Sequence, residues 1–140
     1  MPTVFEKLNL KNQTEIVVLD APESFVPALA GLREVTIHRS LRAAGDVDFF
    51  LAFVTRRDQV DVLAPQVARR AQGDAIVWFA YPKGTSKKYK CDFNRDTGWD
   101  ALKQLGFDTV RAVAIDEDWT ALRFRRTEFI KVSKSATRSF

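Results

Sequence analysis

Five cationic side chains crowd one stretch of this chain, Tyr81 to Trp99 (YPKGTSKKYKCDFNRDTGW): Lys83, Lys87, Lys88, Lys90 and Arg95. Thr85, Ser86 and Asn94 stand among them. Ammonium and guanidinium groups supply charge, and hydroxyl and amide groups supply direction, so the set could hold a phosphate or a carboxylate. Arg56 and Arg57 follow another apolar run and add two guanidinium forks. Asp20 and Asp116 each end an apolar run, where they would orient those cations or hold a ligand hydroxyl. The expected anion-binding set is therefore Arg56, Arg57, Lys83, Thr85, Ser86, Lys87, Lys88, Asn94 and Arg95, with Asp20 and Asp116 as orienting carboxylates.

No catalytic or cofactor signature accompanies these residues. A dinucleotide fold needs G-x-G-x-x-G after its first strand, so that backbone can approach the pyrophosphate. Here that position reads DAPESF, and a methyltransferase-type glycine loop is missing for the same reason. PKGTSKK lacks the upstream glycine of a phosphate loop, and Lys83 precedes Gly84. No cofactor is expected, and no catalytic residue can be named.

The remaining chemistry-bearing residues read as structural. The single His38 has no partner at a diagnostic spacing and is expected on a strand beside solvent or a polar neighbour. The single Cys91 excludes an intramolecular disulfide and cysteine-rich zinc sites. Nearby cations could activate it, but a half-buried loop thiol is the expectation. Asp116, Glu117 and Asp118 suit a polar hairpin turn better than a cation site, so no metal is expected. Trp99 and Trp119 are expected in the core. Alternation of Tyr89 and Phe93 with Lys88, Lys90 and Asp92 is a weak nucleic-acid signal.

The elements that must position these groups follow from periodicity. EIVVL (15–19), 34–38, FFLAFV (49–54), AIVWFA (75–80), 110–115 and a run from Trp119 to Phe124 or Arg125 read as strands. Helices are expected near 3–10, from Ser24 to Gly31, over 57–71 and over 97–105. Ser24 and Thr97 (with Asp100) are the expected caps, and Gly31, Gly73 and Gly106 the stops. Pro65 predicts a kink or an early break in the third helix. Residues 39–46 hold at most a turn.

Alternating strands and helices, with strands apolar throughout, mean a parallel sheet covered on both faces. The fold class expected is α/β: a three-layer Rossmann-like arrangement, with a five- or six-stranded mostly parallel sheet and a C-terminal antiparallel hairpin strand. In such sheets ligands bind beyond the carboxyl ends of the strands. That edge receives Asp20, Arg56, Lys83 and Asp116.

A chain of 140 residues with eleven Phe and three Trp can bury one core, so a single domain over 1–132 and a tail over 133–140 are expected. No apolar run approaches a bilayer span, and MPTVFEKLNLKNQ lacks the basic-then-apolar order of a signal peptide. A cytoplasmic location is expected. Residues 83–95 carry a net +4 and residues 123–140 a net +5; against a total of +4, the remainder stands at −5. Two basic segments on an acidic body point to an anionic partner.

Two segments resemble a bacterial domain-of-unknown-function family of small Rossmann-like α/β proteins. In Trp78–Trp99 the likeness lies in the strand, the Pro-Lys loop and the Asn-Arg-Asp start of a helix. In Ala114–Arg126 (AIDEDWTALRFRR) an Ala-Ile-Asp precedes a Trp and an Arg-Phe follows on the last strand. The resemblance implies a compact Rossmann-like fold and supplies no activity.

Three readings of function follow. The first is a protein binding a small phosphate- or carboxylate-bearing ligand at the sheet's carboxyl edge. The second is an enzyme using Asp20 or Asp116 as acid or base. The third is a basic nucleic-acid or protein interaction module. An open edge strand would allow a homodimer without deciding it, and no membrane partner is expected.

Overall fold

The computed structural model describes residues 4–11, 13–40, 47–93 and 97–130. Among them, six runs form one sheet: β1 (Glu15–Leu19), β2 (Thr36–His38), β3 (Val47–Phe53), β4 (Ala71–Pro82), β5 (Phe107–Ala114) and β6 (Trp119–Arg126). Their order is β2-β1-β3-β4-β6-β5. The first four are mutually parallel, and β6 runs antiparallel to both of its neighbours. The Rossmann-like α/β class with a terminal antiparallel hairpin is therefore what the chain adopts.

One detail differs from expectation. The last strand, β6, is not the edge. It inserts between β4 and β5, pairing Pro82 with Trp119 and Val77 with Phe124. Its burial explains this: Trp119, Ala121, Leu122 and Phe124 are all buried, whereas β5 buries only Phe107 and Val113. The strand with apolar residues on both faces takes the interior position, and the more polar one takes the edge.

Side chains alternate across each strand, so each face has its own core. One face carries Val17, Phe50, Val77, Phe79 and Phe124 under α3 (Arg57–Arg70) and α4 (Asp100–Gln104), which contribute Val60, Ala64, Val67 and Leu102. The other carries Ile16, Val18, Phe49, Leu51 and Trp78 under α1 (Val4–Lys7) and α2 (Val26–Ala30), with Phe5, Leu8, Phe25 and Leu29. Each large side chain so buried contributes about 1.5–3 kcal/mol. Trp78 is fully buried and satisfies its ring N–H on the Leu8 carbonyl at 2.8 Å, which docks the amino-terminal turn onto the sheet.

Tertiary packing overrides several of the local signals. α3 passes through Pro65 without ending; burial of Val60, Ala64 and Val67 outweighs the local cost of about 3 kcal/mol. Gly73 does not stop it, because the chain turns extended at Ala71 and enters β4 directly. Ser24 lies inside a 3-10 turn (Glu23–Phe25) instead of capping a helix. Thr97 does not start α4, whose N-cap is Trp99 with no side-chain cap bond. Gly106 does follow α4 in the left-handed region, at φ 94°. Residues 41–46 and the 133–140 tail lie outside the described residues.

Candidate functional site

The chain runs from β1 to β2 on one side and then crosses back to β3 on the other. Strand order thus reverses between β1 and β3, and a crevice opens there beyond the strand ends. Asp20 follows β1 and Arg56 follows β3. Asp58, Gln59, Val62 and Leu63, from the first turns of α3, complete a cavity of about 280 Å³.

Local chemistry fixes these side chains. Asp20 sits in the left-handed region at φ 58°, which short polar residues tolerate, and its carboxylate is exposed. Gln59 Oε1 accepts the backbone N–H groups of Thr55 at 2.7 Å and Arg56 at 2.9 Å, tying the end of β3 to the first turn of α3. Arg56 Nε donates to Asp58 at 3.1 Å in the open, a pair worth little to stability. Val62 is 62% exposed, an apolar wall with no cover among the described residues.

The basic loop lies beyond β4 and bounds a second cavity of about 350 Å³, lined by Tyr81, Pro82, Lys83, Ser86, Tyr89 and Cys91 among others. Much of its polarity is spent internally. Ser86 Oγ donates to Asp118 at 2.8 Å and accepts the N–H groups of Lys88 and Tyr89. The Lys83 N–H donates to the Asp118 carbonyl.

Asp116 accepts the N–H groups of Asp118 and Trp119 on one oxygen and the Ser24 hydroxyl on the other. It forms no ion pair among the described residues and braces the hairpin turn. Arg57 turns to Asp100 at 3.7 Å. Thr85, Lys87 and Lys88 are exposed, and Asn94 and Arg95 lie outside the described residues. Asp20 and Arg56 thus line one cavity, and Lys83 and Lys90 line another.

The residues expected to be structural are so. His38 meets Glu15 across the β1–β2 pair at 3.0 Å. Trp99 and Trp119 are buried. Burial pushes the Cys91 thiol up, the Asp92 charge adds to the rise, and a hydrogen bond from the Phe93 backbone opposes it. A thiol so shifted is less readily ionised than a free one. No group of acidic, His or Cys side chains among the described residues could hold a metal. None of the described helices is long and apolar enough to cross a membrane. Gln59, Val62 and Leu63 were missed as site residues. Their only signal was position, just past an apolar strand next to the reversal, and strand order is not written in the sequence.

No protein-family model and no curated protein matches the chain. Solved structures match in fold. A SAM-dependent methyltransferase from Aquifex aeolicus superimposes with a TM-score of 0.60 at 14% identity, over 88% of this chain and 87% of that one. The magnesium protoporphyrin IX methyltransferase ChlM from Synechocystis PCC 6803, solved with bound SAH, gives 0.56 at 12% identity, over 88% and 78%. The fibrillarin pre-rRNA processing protein of Methanococcus jannaschii gives 0.54 at 11% identity, over 84% and 68%.

At such identities the likeness is one of fold. It corrects two expectations. The expectation of an anion-binding protein of no recognised class, with the basic interaction module and the Asp20 or Asp116 acid–base enzyme as its alternatives, does not stand against a fold shared with SAM-dependent methyltransferases. The expectation of no cofactor also falls, since the structures that share this fold include SAM-dependent enzymes. Of the family resemblance, the Rossmann-like fold stands.

Proposed function

We propose that this protein binds S-adenosylmethionine, or its demethylated product S-adenosylhomocysteine, in the β1–β3 crevice and acts as a methyltransferase. The observation that carries this reading is an oppositely charged pair of residues, Asp20 and Arg56, lining one cavity at the strand reversal of a methyltransferase-like sheet.

The residues present suit the ligand's chemistry. Its amino-acid end carries a carboxylate and an ammonium, which Arg56 and Asp20 would hold by charge-assisted hydrogen bonds. Its adenine is a flat aromatic ring whose faces pack on apolar side chains, and Val62 with Leu63 would wall it. When bound, the sulfonium supplies an electrophilic methyl group. The chain's own contribution is to orient that ligand and to leave the cavity beyond β4, flanked by Tyr81, Tyr89 and Lys83, for the methyl acceptor.

The β1 turn departs from a glycine loop in a way that shapes this reading. Ala21 carries a Cβ and Pro22 has no N–H, so the turn offers the Asp20 side chain in place of bare backbone. Binding should then depend on side-chain charge and weaken with salt.

Titration calorimetry with S-adenosylhomocysteine tests this. One-to-one binding is expected, weakened at least tenfold in Asp20→Ala and in Arg56→Ala, with Arg56→Ala melting as the parent does. No heat from the parent protein, or equal affinity in all three, contradicts the proposal.

A further inference from the structure

The opposite face of the sheet carries a charged cluster that the crevice does not use. Cross-strand register places Trp78, Arg123 and Arg111 in one row, with Asp108 and Arg125 paired in the next. Trp78 belongs to the core face under α1 and α2, whereas α3 and the crevice lie on the other face. Three arginines therefore gather where no crevice residue reaches.

Their own carboxylates do not balance them. Asp74 is taken by Arg125, whose Nε and Nη2 donate to its two oxygens at 2.7 and 2.6 Å. Asp108 spends an oxygen on the Thr109 N–H at 2.8 Å. Arg123 Nε is buried and finds no acceptor among the described residues. Burial pushes the Arg123 guanidinium down and the charge of Arg125 pushes it further; Asp74 opposes this, and Arg111 adds a smaller push downward. Like charges directly opposite on neighbouring strands destabilise the pair, and a buried donor without an acceptor adds to the cost.

We propose that Arg111 and Arg123 form a binding site for the phosphate group of a small phosphorylated molecule. A phosphate monoester brings nearly two negative charges and three acceptor oxygens. That matches two guanidinium forks. A single carboxylate would leave one fork uncompensated. The site is independent of the crevice reading.

The test is thermal melting with inorganic phosphate, pyrophosphate or acetate at matched ionic strength, on the parent, Arg111→Thr and Arg123→Lys. Arg111 is exposed, so its replacement leaves the core intact. Expected is a rise of several degrees for the parent with phosphate and pyrophosphate but not with acetate. Arg111→Thr should melt higher than the parent without ligand, because the repulsion is gone, and gain nothing from phosphate. Arg123→Lys, which keeps charge but loses the fork, should keep only a small rise. No rise for the parent, an equal rise with acetate, or an equal rise in Arg111→Thr overturns the proposal. Binding of S-adenosylhomocysteine should be the same in the parent and in Arg111→Thr, which separates this site from the crevice.

Discussion

The backbone N–H of Arg57 donates to the Asp92 carboxylate at 2.7 Å, across 35 positions of sequence. The Asp92 N–H in turn reaches the Thr55 carbonyl at 3.4 Å. A carboxylate thus satisfies an orphan donor at the positive end of α3, and the basic loop is tied to the same turn that carries Arg56. Asp92→Ala should cost about 1–2 kcal/mol in urea denaturation, as the loss of a helix cap does, and Asp92→Asn less. An unchanged midpoint for Asp92→Ala would show that the bond does not hold the loop.

Gly98 is the glycine of this loop that cannot be replaced. Its φ is 91°, and a Cβ there would lie 2.7 Å from the Cβ of Phe93. Phe93 is itself packed edge-on against Trp99, with ring centroids 5.0 Å apart. Gly98→Ala combines backbone strain with overpacking and should destabilise by about 2–4 kcal/mol. A loss under about 0.5 kcal/mol in chemical denaturation would contradict this placement of the loop.

Cys91 makes a pH prediction. Its folded pKa lies above the ordinary thiol value because burial disfavours the thiolate. The native state therefore holds the proton longer than the unfolded chain. The stability this contributes is complete below the unfolded thiol pKa and is lost as pH rises through the folded value. Iodoacetamide should label the native protein more slowly than the urea-unfolded chain at mildly alkaline pH, and its rate–pH midpoint should lie above that of the unfolded chain. Faster labelling of the native protein would mean an activated thiol.

Asp20 separates backbone from side chain. Glycine adopts its φ of 58° freely. Asp20→Gly should melt at or above the parent temperature, yet lose S-adenosylhomocysteine affinity as Asp20→Ala does. Retained affinity would show that the carboxylate is not a ligand contact.

Much of the fold was legible from the sequence because burial wrote it there. EIVVL, FFLAFV and AIVWFA are apolar at successive positions, which only a sheet covered on both faces requires. The hairpin was legible from the acidic turn between Ile115 and Trp119. What escaped was non-local. The insertion of β6 between β4 and β5 depends on which strand buries more, and the run through Pro65 on packing that outweighs propensity. The layout of the site was hidden for a related reason. Charge density drew attention to Lys83–Lys90, where the Ser86 hydroxyl and the Lys83 backbone N–H are bonded to Asp118. Asp20 and Arg56 were legible as residues of the sheet's carboxyl edge, but that they share one cavity depends on the reversal between β1 and β3.

The most direct test of the crevice is a backbone-amide NMR titration of labelled protein with S-adenosylhomocysteine. The account predicts saturable shifts centred on Asp20, Arg56, Gln59 and Val62, with smaller ones at Asp92, which is tied to the same turn. An unperturbed spectrum at millimolar ligand, or shifts confined to Lys83–Lys90, would contradict it.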